Sequence, residues 1–313
     1  MDSVINILTN DNGAGLTKDA TVLSTHIDYP CKRSQVHSGA TFEDINIFCE
    51  IANERWMKRG GYNVLIPNPE WYHKKWMHLL PKFDEIWVKT MEAQRIFETH
   101  HKNVHYIGFT SEDHYEDTPK EFEGFHACGK SIAKQTWLIL NTWEKFNPFP
   151  VTVLTKLQAT NMMLKNKQIN KKQFRGEGLN HINTQIAGIH QKQFNTMQNR
   201  ALIHLCPSTY EGFGHYINEA RSCGAVVVTT DAAPMNELID DKIGFLLPCE
   251  KWRQRELGTD YKVSEKDFTE VVNKVAATPL DKLLEMGNLA RERYLEDREQ
   301  FIKLVNERVQ AII

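Results

Sequence analysis

Two glutamates with seven residues between them, Glu211 and Glu219, stand where the sequence is richest in groups able to bind a polar ligand. An apolar run, Ala201–Cys206, precedes them, and a Gly-Phe-Gly sequence follows the first glutamate at residues 212–214. A glycine-rich loop that enters a helix lets a phosphate or sugar oxygen approach the backbone, and the helix N-terminus favours negative charge. The backbone amides of residues 212–215 are therefore predicted to meet an anionic or polyhydroxylated ligand.

The residues that follow this loop have the spacing of an amphipathic helix, at about 100° per residue. One face would carry Tyr216, Ile217, Ala220 and Cys223, and the other Asn218, Arg221 and Ser222. Glu219 falls at the margin of the apolar face, where a carboxylate needs hydrogen-bond partners. A ribose diol would supply two donors, whereas a glutamate on a solvated helix face needs no ligand. The pattern favours neither interpretation over the other.

A second candidate for phosphate chemistry is GFHACGKS at residues 124–131, which satisfies the P-loop pattern G-x-x-x-x-G-K-[ST]. That motif requires an apolar strand before its first glycine and a helix after its lysine. The residues before it, TPKEFE at 118–123, do not resemble a buried parallel strand. We predict instead a strand at residues 125–128, inside the supposed loop. We interpret the match as a coincidence, and a P-loop nucleotide hydrolase is kept as the alternative.

Short apolar runs alternate with longer amphipathic stretches, a pattern typical of mostly parallel sheets covered by helices. In the first half, strands are predicted at residues 4–9, 45–51, 63–67, 85–88 and 104–107, and helices from Leu16 and over 91–101. In the second half, strands are predicted at residues 125–128, 151–155, 201–206, 225–229 and 244–247, and helices over 133–146 and from Lys266 onward. A polar, acidic linker is predicted at residues 110–124. Two Rossmann-like α/β domains are the economical interpretation, with a single large open sheet as the competitor.

The composition limits the classes of protein to consider. Apolar residues make up 41% and charged residues 25% of the 313, as in ordinary globular proteins, and a net charge of −2 gives no general attraction to nucleic acid or membrane. The six cysteines form no C-x-x-C pair, no signal-peptide pattern opens the sequence, and no apolar run approaches the roughly 20 residues needed to span a bilayer. We expect a cytoplasmic protein with reduced thiols. No D-x-D motif is present, so no metal site is expected.

The segment from Pro207 to Pro248 resembles the E-x7-E region of retaining family-4 glycosyltransferases of the GT-B fold. Along this segment of about forty residues the matches occur in the same order: Pro207-Ser208, Gly212-Phe213-Gly214, Glu219-Ala220, Gly224, the apolar residues 226–228, Thr230, Glu237-Leu238-Ile239 and Gly244-Phe245-Leu246. In that family the second glutamate holds the nucleotide ribose and the first contacts the transferred sugar. A basic residue and a lysine after an earlier strand grip the diphosphate, and Lys130 and Lys134 stand in that place, with Gln135 where the family has glycine.

The resemblance implies a set of site residues. The catalytic residues would be Glu211, Lys130 and Lys134, and the donor-binding residues Gly15, Gly212, Phe213, Gly214, His215, Tyr216 and Glu219. Gly15 belongs to a first loop, Asn12-Gly13-Ala14-Gly15, that in GT-B enzymes faces the donor diphosphate; a plain tight turn is the competing explanation.

Polar and aromatic residues end two predicted strands of the first half and are candidates for the acceptor side: Glu50, Asn68, Glu70 and Trp71. The family's sugar-contacting histidine has no evident counterpart, His73 being the nearest. A group of basic residues with one tryptophan would suit a polyanionic acceptor, although a solvated charged face is the commoner meaning of such a group: Arg55, Lys58, Arg59, Lys74, Lys75 and Trp76.

The sequence thus predicts a retaining, metal-independent hexosyl- or pentosyltransferase that takes its sugar from a nucleotide-diphosphate sugar, with UDP favoured. No cofactor is implied, and the acceptor classes left open are a glycan, a small molecule and a modified nucleic acid. The expected domains are 1–115 with a helix at 298–313, on the acceptor side, and 119–297, on the nucleotide-sugar side, facing across a cleft. A P-loop hydrolase and a non-catalytic nucleotide- or sugar-binding protein are the alternatives.

Overall fold

The computed structural model describes residues 4–10, 13, 15–35, 44–57, 61–175, 182–185 and 189–313. The chain forms two compact units. Unit 1 comprises Met1–Glu112, Arg253–Thr259 and Leu295–Ile313, and unit 2 comprises Asp113–Trp252 and Asp260–Tyr294. Each unit has a six-stranded sheet whose paired strands run parallel. The predicted α/β class with two Rossmann-like domains is confirmed.

The sheet of unit 1 has the strand order β2-β1-β3-β4-β5-β6. Its strands are β1 (Ile5–Thr9), β2 (Cys31–Gln35), β3 (Ile45–Cys49), β4 (Tyr62–Ile66), β5 (Glu85–Val88) and β6 (Val104–Tyr106). Its helices are α1 (Gly15–His26), α2 (Glu54–Met57), α3 (Met91–Phe97) and a 3-10 helix at Lys74–Lys82. Every residue of β1 and β3 is buried, as expected for central parallel strands covered on both faces.

The sheet of unit 2 has the strand order β12-β11-β10-β7-β8-β9. Its strands are β7 (Glu121–Gly129), β8 (Val151–Thr155), β9 (Ile182–Gln185), β10 (Ala201–Cys206), β11 (Val226–Thr230) and β12 (Gly244–Leu247). The helices are α4 (Thr136–Lys145), α5 (Leu157–Lys165), α6 (Lys171–Arg175), α7 (Gln191–Arg200), α8 (His215–Ser222), α9 (Met235–Leu238), α10 (Glu265–Ala276), α11 (Leu280–Gln310) and a 3-10 helix at Ile132–Lys134. Strands β13 (Cys249–Arg255) and β14 (Gly258–Val263) pair as a two-stranded sheet.

Strand β7 begins at Glu121 rather than at residue 125, so the prediction that residues 118–123 contain no strand is wrong for its last three residues. The first three positions of β7 are exposed or half-buried and can be polar. The Arg200 guanidinium binds the Glu123 carboxylate, with Nε 2.8 Å from Oε1, and thereby neutralises the acidic start of the strand. An apolar run is therefore not required there, and the linker ends at residue 120.

Residues 253–259, which the predicted boundaries place in the second domain, are counted in unit 1. The contacts explain this: the Leu257 amide donates to the Pro69 carbonyl at 3.0 Å, and the Lys74 amide donates to Glu256 at 3.0 Å. Helix α11 begins in unit 2, and its residues from Leu295 onward belong to unit 1. None of the described helices is long and apolar enough to cross a membrane.

Candidate active site

The predicted donor-side residues follow two strands that are neighbours in the sheet of unit 2. Strand β7 pairs with β8 on one side and with β10 on the other, so the chain order reverses between β7 and β10. In open parallel sheets, ligands bind outside the carboxyl ends of the strands at such a reversal. The segment after β7 carries Lys130 and Lys134, and the segment after β10 carries Glu211 and Glu219. The topology thus brings these two segments to the same edge of the sheet.

A compact polar cluster joins these two segments. The Lys134 ammonium group forms an ion pair with the Glu211 carboxylate, and both side chains are largely buried, at 17% and 13% exposure. Nζ of Lys134 also lies 3.5 Å from the centre of the Tyr216 ring. The Ser208 hydroxyl contacts both Glu211 Oε1 and the Tyr216 hydroxyl. Four predicted or neighbouring site residues therefore form one connected group.

The backbone around Gln135 fixes the position of Lys134. Gln135 has a left-handed conformation (φ +45°), which explains why glycine suits this position in the family that the sequence resembles. Its buried side-chain amide donates to the Pro207 carbonyl at 2.9 Å, and the Thr209 amide donates to the Ala133 carbonyl at 2.7 Å. These two bonds tie the segment after β7 to the segment after β10.

A buried histidine makes hydrogen bonds to β10 and α4 in the same region. His126 Nδ1 lies 2.7 Å from the Leu205 carbonyl oxygen, and its Nε2 lies 2.8 Å from Thr136 Oγ1. Because the carbonyl only accepts, Nδ1 must carry the proton, and Nε2 accepts from the threonine hydroxyl. Burial lowers the pKa of His126 to about 4, so the ring is neutral near pH 7. This neutral ring links β7, β10 and the first residue of α4.

The loop before α8 requires its second glycine. Gly214 has φ +104°, and a Cβ atom there would lie 3.2 Å from Ile217 Cδ1 and 3.3 Å from Leu238 Cδ1. The amides of Ile217 and Asn218 donate to the Gly214 carbonyl at 2.9 and 3.0 Å. The His215 and Tyr216 amides lie at the N-terminus of the helix, which favours negative charge. The Phe213 ring packs edge-on against the His215 ring at 5.5 Å, and Gly212 is half-buried.

Glu219 is almost completely buried, at 3% exposure, instead of at the edge of a solvated helix. The expectation that Asn218, Arg221 and Ser222 point away from the core is wrong, because all three are buried. The linker covers this face: the amide of His114 donates to Ser222 Oγ at 3.1 Å. Helical periodicity in the sequence does not reveal cover supplied by a segment about a hundred residues earlier.

Lys130 lies in the turn after Gly129, where the chain leaves β7 with φ +56°, and its side chain is exposed. It is thus close in sequence to Lys134 but does not share the burial of that lysine. Its role toward a diphosphate remains a prediction.

The P-loop alternative is not favoured by the structure. All six residues from Gly124 to Gly129 lie inside β7, so the positions that would form a phosphate-binding loop are extended strand. A Cβ atom at Gly124 would lie 3.0 Å from both the Phe149 ring and Val151, so packing between strands accounts for this glycine. The match to G-x-x-x-x-G-K-[ST] is a coincidence of sequence.

The acceptor-side candidates in unit 1 lie beyond the carboxyl ends of β3 and β4. The Asn68 side-chain amide donates to Glu50 Oε2 at 2.6 Å. Glu50 has a left-handed backbone (φ +66°), an unusual conformation for glutamate that is often found at functional sites. Burial raises the pKa of the Glu50 carboxyl group, and the Asn68 hydrogen bond opposes this shift. Glu50 and Asn68 thus form a hydrogen-bonded pair that the sequence analysis did not predict.

The remaining candidates of unit 1 have different surroundings. Glu70 is buried, at 4% exposure, whereas Trp71 is 44% exposed and lies beneath the Arg255 guanidinium, 5.7 Å from the ring centre. Gly15 is the first residue of α1, and no described atom comes within 4 Å of a Cβ built there. Packing within the described residues therefore does not explain that glycine. Asn12 and Ala14 of the same loop lie outside the described residues, as do Lys58 and Arg59 of the basic group.

Sequence reasoning missed a buried ion pair in the same unit. Lys89 Nζ lies 2.9 Å from Asp19 Oδ2, and both side chains are at most 5% exposed. Lys89 directly follows β5, and a polar residue at a strand end is the signal that identified Glu50. The pair also influences Glu50. The positive charge of Lys89 lowers the pKa of the Glu50 carboxyl group, against the effect of burial, and the negative charge of Asp19 raises it. No group of three or more His, Cys, Asp or Glu among the described residues is arranged to hold a metal ion.

Residues 166–270 match the family model described as "Glycosyl transferases group 1", and this range includes α8 with its preceding loop. A comparison with curated proteins gives no match.

Three solved structures of similar fold each superpose on at least 85% of this chain. Anabaena Alr3699/HepE in complex with UDP-glucose superposes with a TM-score of 0.69 at 14% identity, over 99% of this chain and 100% of that one. Sucrose-phosphate synthase from Thermosynechococcus elongatus superposes with a TM-score of 0.65 at 12% identity, over 94% of this chain and 78% of that one. A chain of the GtfA/B complex superposes with a TM-score of 0.64 at 14% identity over 85% of this chain. This chain spans only 57% of the length of that one. At these identities the likeness establishes the fold, and with the family match it confirms the resemblance to GT-B glycosyltransferases.

Proposed function

We propose that this protein is a glycosyltransferase that moves a sugar from a nucleotide-diphosphate sugar, by preference a UDP-sugar, to an acceptor hydroxyl. The family match over residues 166–270 supports sugar transfer. The observation that carries the proposal is the ion pair between Lys134 and Glu211 at the carboxyl ends of two adjacent strands, beside the amide-bearing start of α8. A cation, a carboxylate and helix amides in one place suit a ligand that joins a diphosphate to a sugar.

Each of these groups has a part in donor binding. Glu219 accepts the two ribose hydroxyl hydrogens, the role that the resemblance gives to the second glutamate of the E-x7-E motif. Lys134 and the exposed Lys130 bind the diphosphate through charge-assisted hydrogen bonds. The backbone amides that open α8 donate to the sugar and phosphate oxygens. Gly212 has no side chain and therefore lets these oxygens come close to the backbone. UDP is the preferred nucleotide because the Anabaena neighbour of similar fold was solved with UDP-glucose.

The chemical step is transfer with retention, in which the acceptor hydroxyl attacks the face that the diphosphate leaves. The departing diphosphate takes the acceptor proton, so the protein contributes position and electrostatic stabilisation. Lys134 stabilises the negative charge that develops on the leaving phosphate, and Glu211 holds the transferred sugar. Lysine cations supply this stabilisation without a metal ion or another cofactor. The transferred group is a hexose or a pentose.

The acceptor is bound by unit 1, through the paired Glu50 and Asn68 together with Glu70 and the exposed Trp71. A carboxylate beside an amide provides both acceptors and donors for a hydroxyl group. The exposed face of Trp71 suits the apolar face of a sugar ring or a base. The acceptor is therefore a hydroxyl of a glycan, a small molecule or a modified nucleic acid.

The proposal is tested by thermal stabilisation with UDP, GDP, ADP and ATP in the presence of EDTA, followed by measurement of nucleotide release from UDP-sugars. A selective ligand raises the midpoint because it binds only the folded protein. We expect UDP to stabilise the protein with EDTA present and UDP-sugars to be turned over. Stabilisation by ATP alone and only with magnesium would favour a nucleotide hydrolase. Stabilisation by UDP with no turnover of any UDP-sugar would indicate a binding protein.

A further inference from the structure

Two hydroxyl groups connect the core of unit 2 to the Glu211 carboxylate. Ser208 is completely buried, and its Oγ contacts Glu211 Oε1 on one side and the Tyr216 hydroxyl, at 2.5 Å, on the other. The backbone of Ser208 is also fixed, because Thr230 Oγ1 in β11 donates to the Ser208 carbonyl at 2.6 Å. Ser208 is thus held in place independently of the cluster that it serves.

The direction of these hydrogen bonds follows from proton counting. A serine hydroxyl has one hydrogen, and the ionised carboxylate of Glu211 only accepts, so Ser208 donates to Glu211. Ser208 must then accept from Tyr216, whose hydroxyl donates. Burial raises the pKa of Tyr216 well above its ordinary value, so its hydroxyl keeps the proton that this arrangement requires. The result is a chain of two hydrogen bonds that ends on Glu211.

The same tyrosine contacts the cation that pairs with Glu211. Lys134 Nζ lies 3.5 Å from the Tyr216 ring centre, a distance suited to attraction between an ammonium ion and an aromatic face. Tyr216 therefore acts on both members of the ion pair, on Lys134 through its ring and on Glu211 through its hydroxyl and Ser208. A role for this side chain is separate from that of its backbone amide at the start of α8.

We propose that Ser208 and Tyr216 are positioning residues for sugar transfer, the hydroxyl chain Tyr216–Ser208 orienting the Glu211 carboxylate toward the sugar and the Tyr216 ring holding Lys134 at the diphosphate. This assignment rests on the proposed function of the site. It predicts that the two parts of Tyr216 are separable: the hydroxyl affects catalysis, and the ring affects nucleotide binding.

Substitutions that remove one part at a time test the assignment. Tyr216→Phe keeps the ring and deletes the hydroxyl, so we expect kcat with a UDP-sugar to fall about 5-fold and the Kd for UDP to stay within about 2-fold of wild type. Tyr216→Leu also removes the ring, so the Kd for UDP should rise as well, by about 3- to 10-fold. Ser208→Ala should lower kcat about 10- to 100-fold and leave the Kd for UDP unchanged.

The double variant S208A/Y216F gives the sharpest result. Because the tyrosine hydroxyl acts through Ser208, adding Tyr216→Phe to Ser208→Ala should cause no further loss of kcat, whereas independent effects would multiply. Tyr115→Phe is the matched control, since this tyrosine of unit 2 is 49% exposed, and it should leave both constants unchanged. Thermal midpoints of all variants establish that they are folded.

The outcomes separate this assignment from the function on which it rests. Wild-type kcat in both Tyr216→Phe and Ser208→Ala, with the unsubstituted protein active, would overturn the positioning role and leave the transferase standing. A double variant whose loss of kcat equals the product of the two single losses would also overturn it. So would a Kd for UDP that rises as much in Tyr216→Phe as in Tyr216→Leu. A wild-type protein that turns over no UDP-sugar would overturn both proposals.

Discussion

Lys134 and Glu211 form an ion pair although they are 77 positions apart in the sequence. The 3-10 turn after β7 supplies the lysine, and the loop after β10 supplies the glutamate. Since β7 and β10 are hydrogen-bonded neighbours, the pair is a direct consequence of strand order. In the proposed reaction Lys134 binds the diphosphate and Glu211 contacts the sugar, so each residue has its own measurable effect.

Replacing Lys134 should weaken the binding of the diphosphate and not that of the nucleoside. We expect Lys134→Met to raise the Kd for UDP about 10- to 100-fold, equivalent to about 1.4–2.8 kcal/mol, because a charge-assisted hydrogen bond is lost. The Kd for uridine should not change. Titration calorimetry with both ligands measures the difference, with Lys165→Met, an exposed lysine at the end of α5, as the control. Equal weakening of UDP and uridine would argue against a phosphate contact.

Replacing Glu219 should have the complementary effect. Glu219→Gln removes one acceptor from the proposed ribose contact, so the Kd values for uridine and UDP should rise together, by about 10-fold. Binding of inorganic diphosphate, which has no ribose, should be unchanged. The same calorimetric series measures all three ligands. A variant that loses affinity for diphosphate as well would show that Glu219 supports the fold of α8 and has no specific contact with the sugar of the nucleoside.

Gln135 provides a test of the turn that carries Lys134. Its left-handed backbone costs about 1–2 kcal/mol for a residue with a Cβ atom, and its side-chain bond to Pro207 offsets part of this. Gln135→Ala keeps the backbone cost and loses the bond, so it should lower the free energy of unfolding by about 1–2 kcal/mol. Gln135→Gly loses both and should be clearly less destabilising. Urea unfolding of the two variants measures this order, and the reverse order would contradict the account of the turn.

Much of the fold was predictable because central parallel strands are apolar throughout. The strands at 85–88, 151–155, 201–206 and 244–247 have the predicted bounds. Strands with little burial were missed for the same physical reason. Strand β2 has the sequence CKRSQ and lies at an edge, and β13, CEKWRQR, is mostly exposed, so neither has an apolar run. Their pairing is decided by the tertiary structure and not by their own residue pattern.

For the site, the sequence indicated the residue types but not their contacts. Lys134 and Glu211 were assigned to one ligand by resemblance, while their ion pair depends on the order of strands β7 and β10. Ser208 and Tyr216 were named from the sequence only as parts of the matched segment, and nothing in the sequence indicated the hydrogen bonds of their side chains. The Asp19–Lys89 pair was missed because a charged residue on a helix is usually solvated, and the packing that buries it is not visible in the sequence.

The buried histidines of unit 2 predict how stability changes with pH. Burial lowers the pKa of His126 to about 4 and that of His204 to about 3, below the ordinary value of 6.5, so the folded protein binds fewer protons than the unfolded chain between these limits. The stabilising contribution is therefore complete above about pH 6.5 and is lost as the pH falls toward 4 for His126 and toward 3 for His204. Each histidine should lower the free energy of unfolding by about 1.4 kcal/mol per pH unit across this range.

Substitution separates His126 from the rest of this pH dependence. His126→Gln removes one titrating group while keeping a donor for Leu205 and an acceptor for Thr136. The loss of stability between pH 6.5 and 4.5, measured by urea unfolding, should be smaller in this variant than in wild type. His78→Gln, at an exposed position, is the matched control and should show the wild-type slope. An unchanged slope in His126→Gln would contradict the neutral buried ring.

The central claim, that Glu211 serves the transferred sugar at a nucleotide-sugar site, is tested most directly by kinetics and binding in a single variant. For Glu211→Ala we predict that release of UDP from a UDP-sugar in the presence of an acceptor falls at least 100-fold, about 2.7 kcal/mol in the barrier, while the Kd for UDP stays within about 3-fold of wild type. Turnover at the wild-type rate in Glu211→Ala would contradict the account.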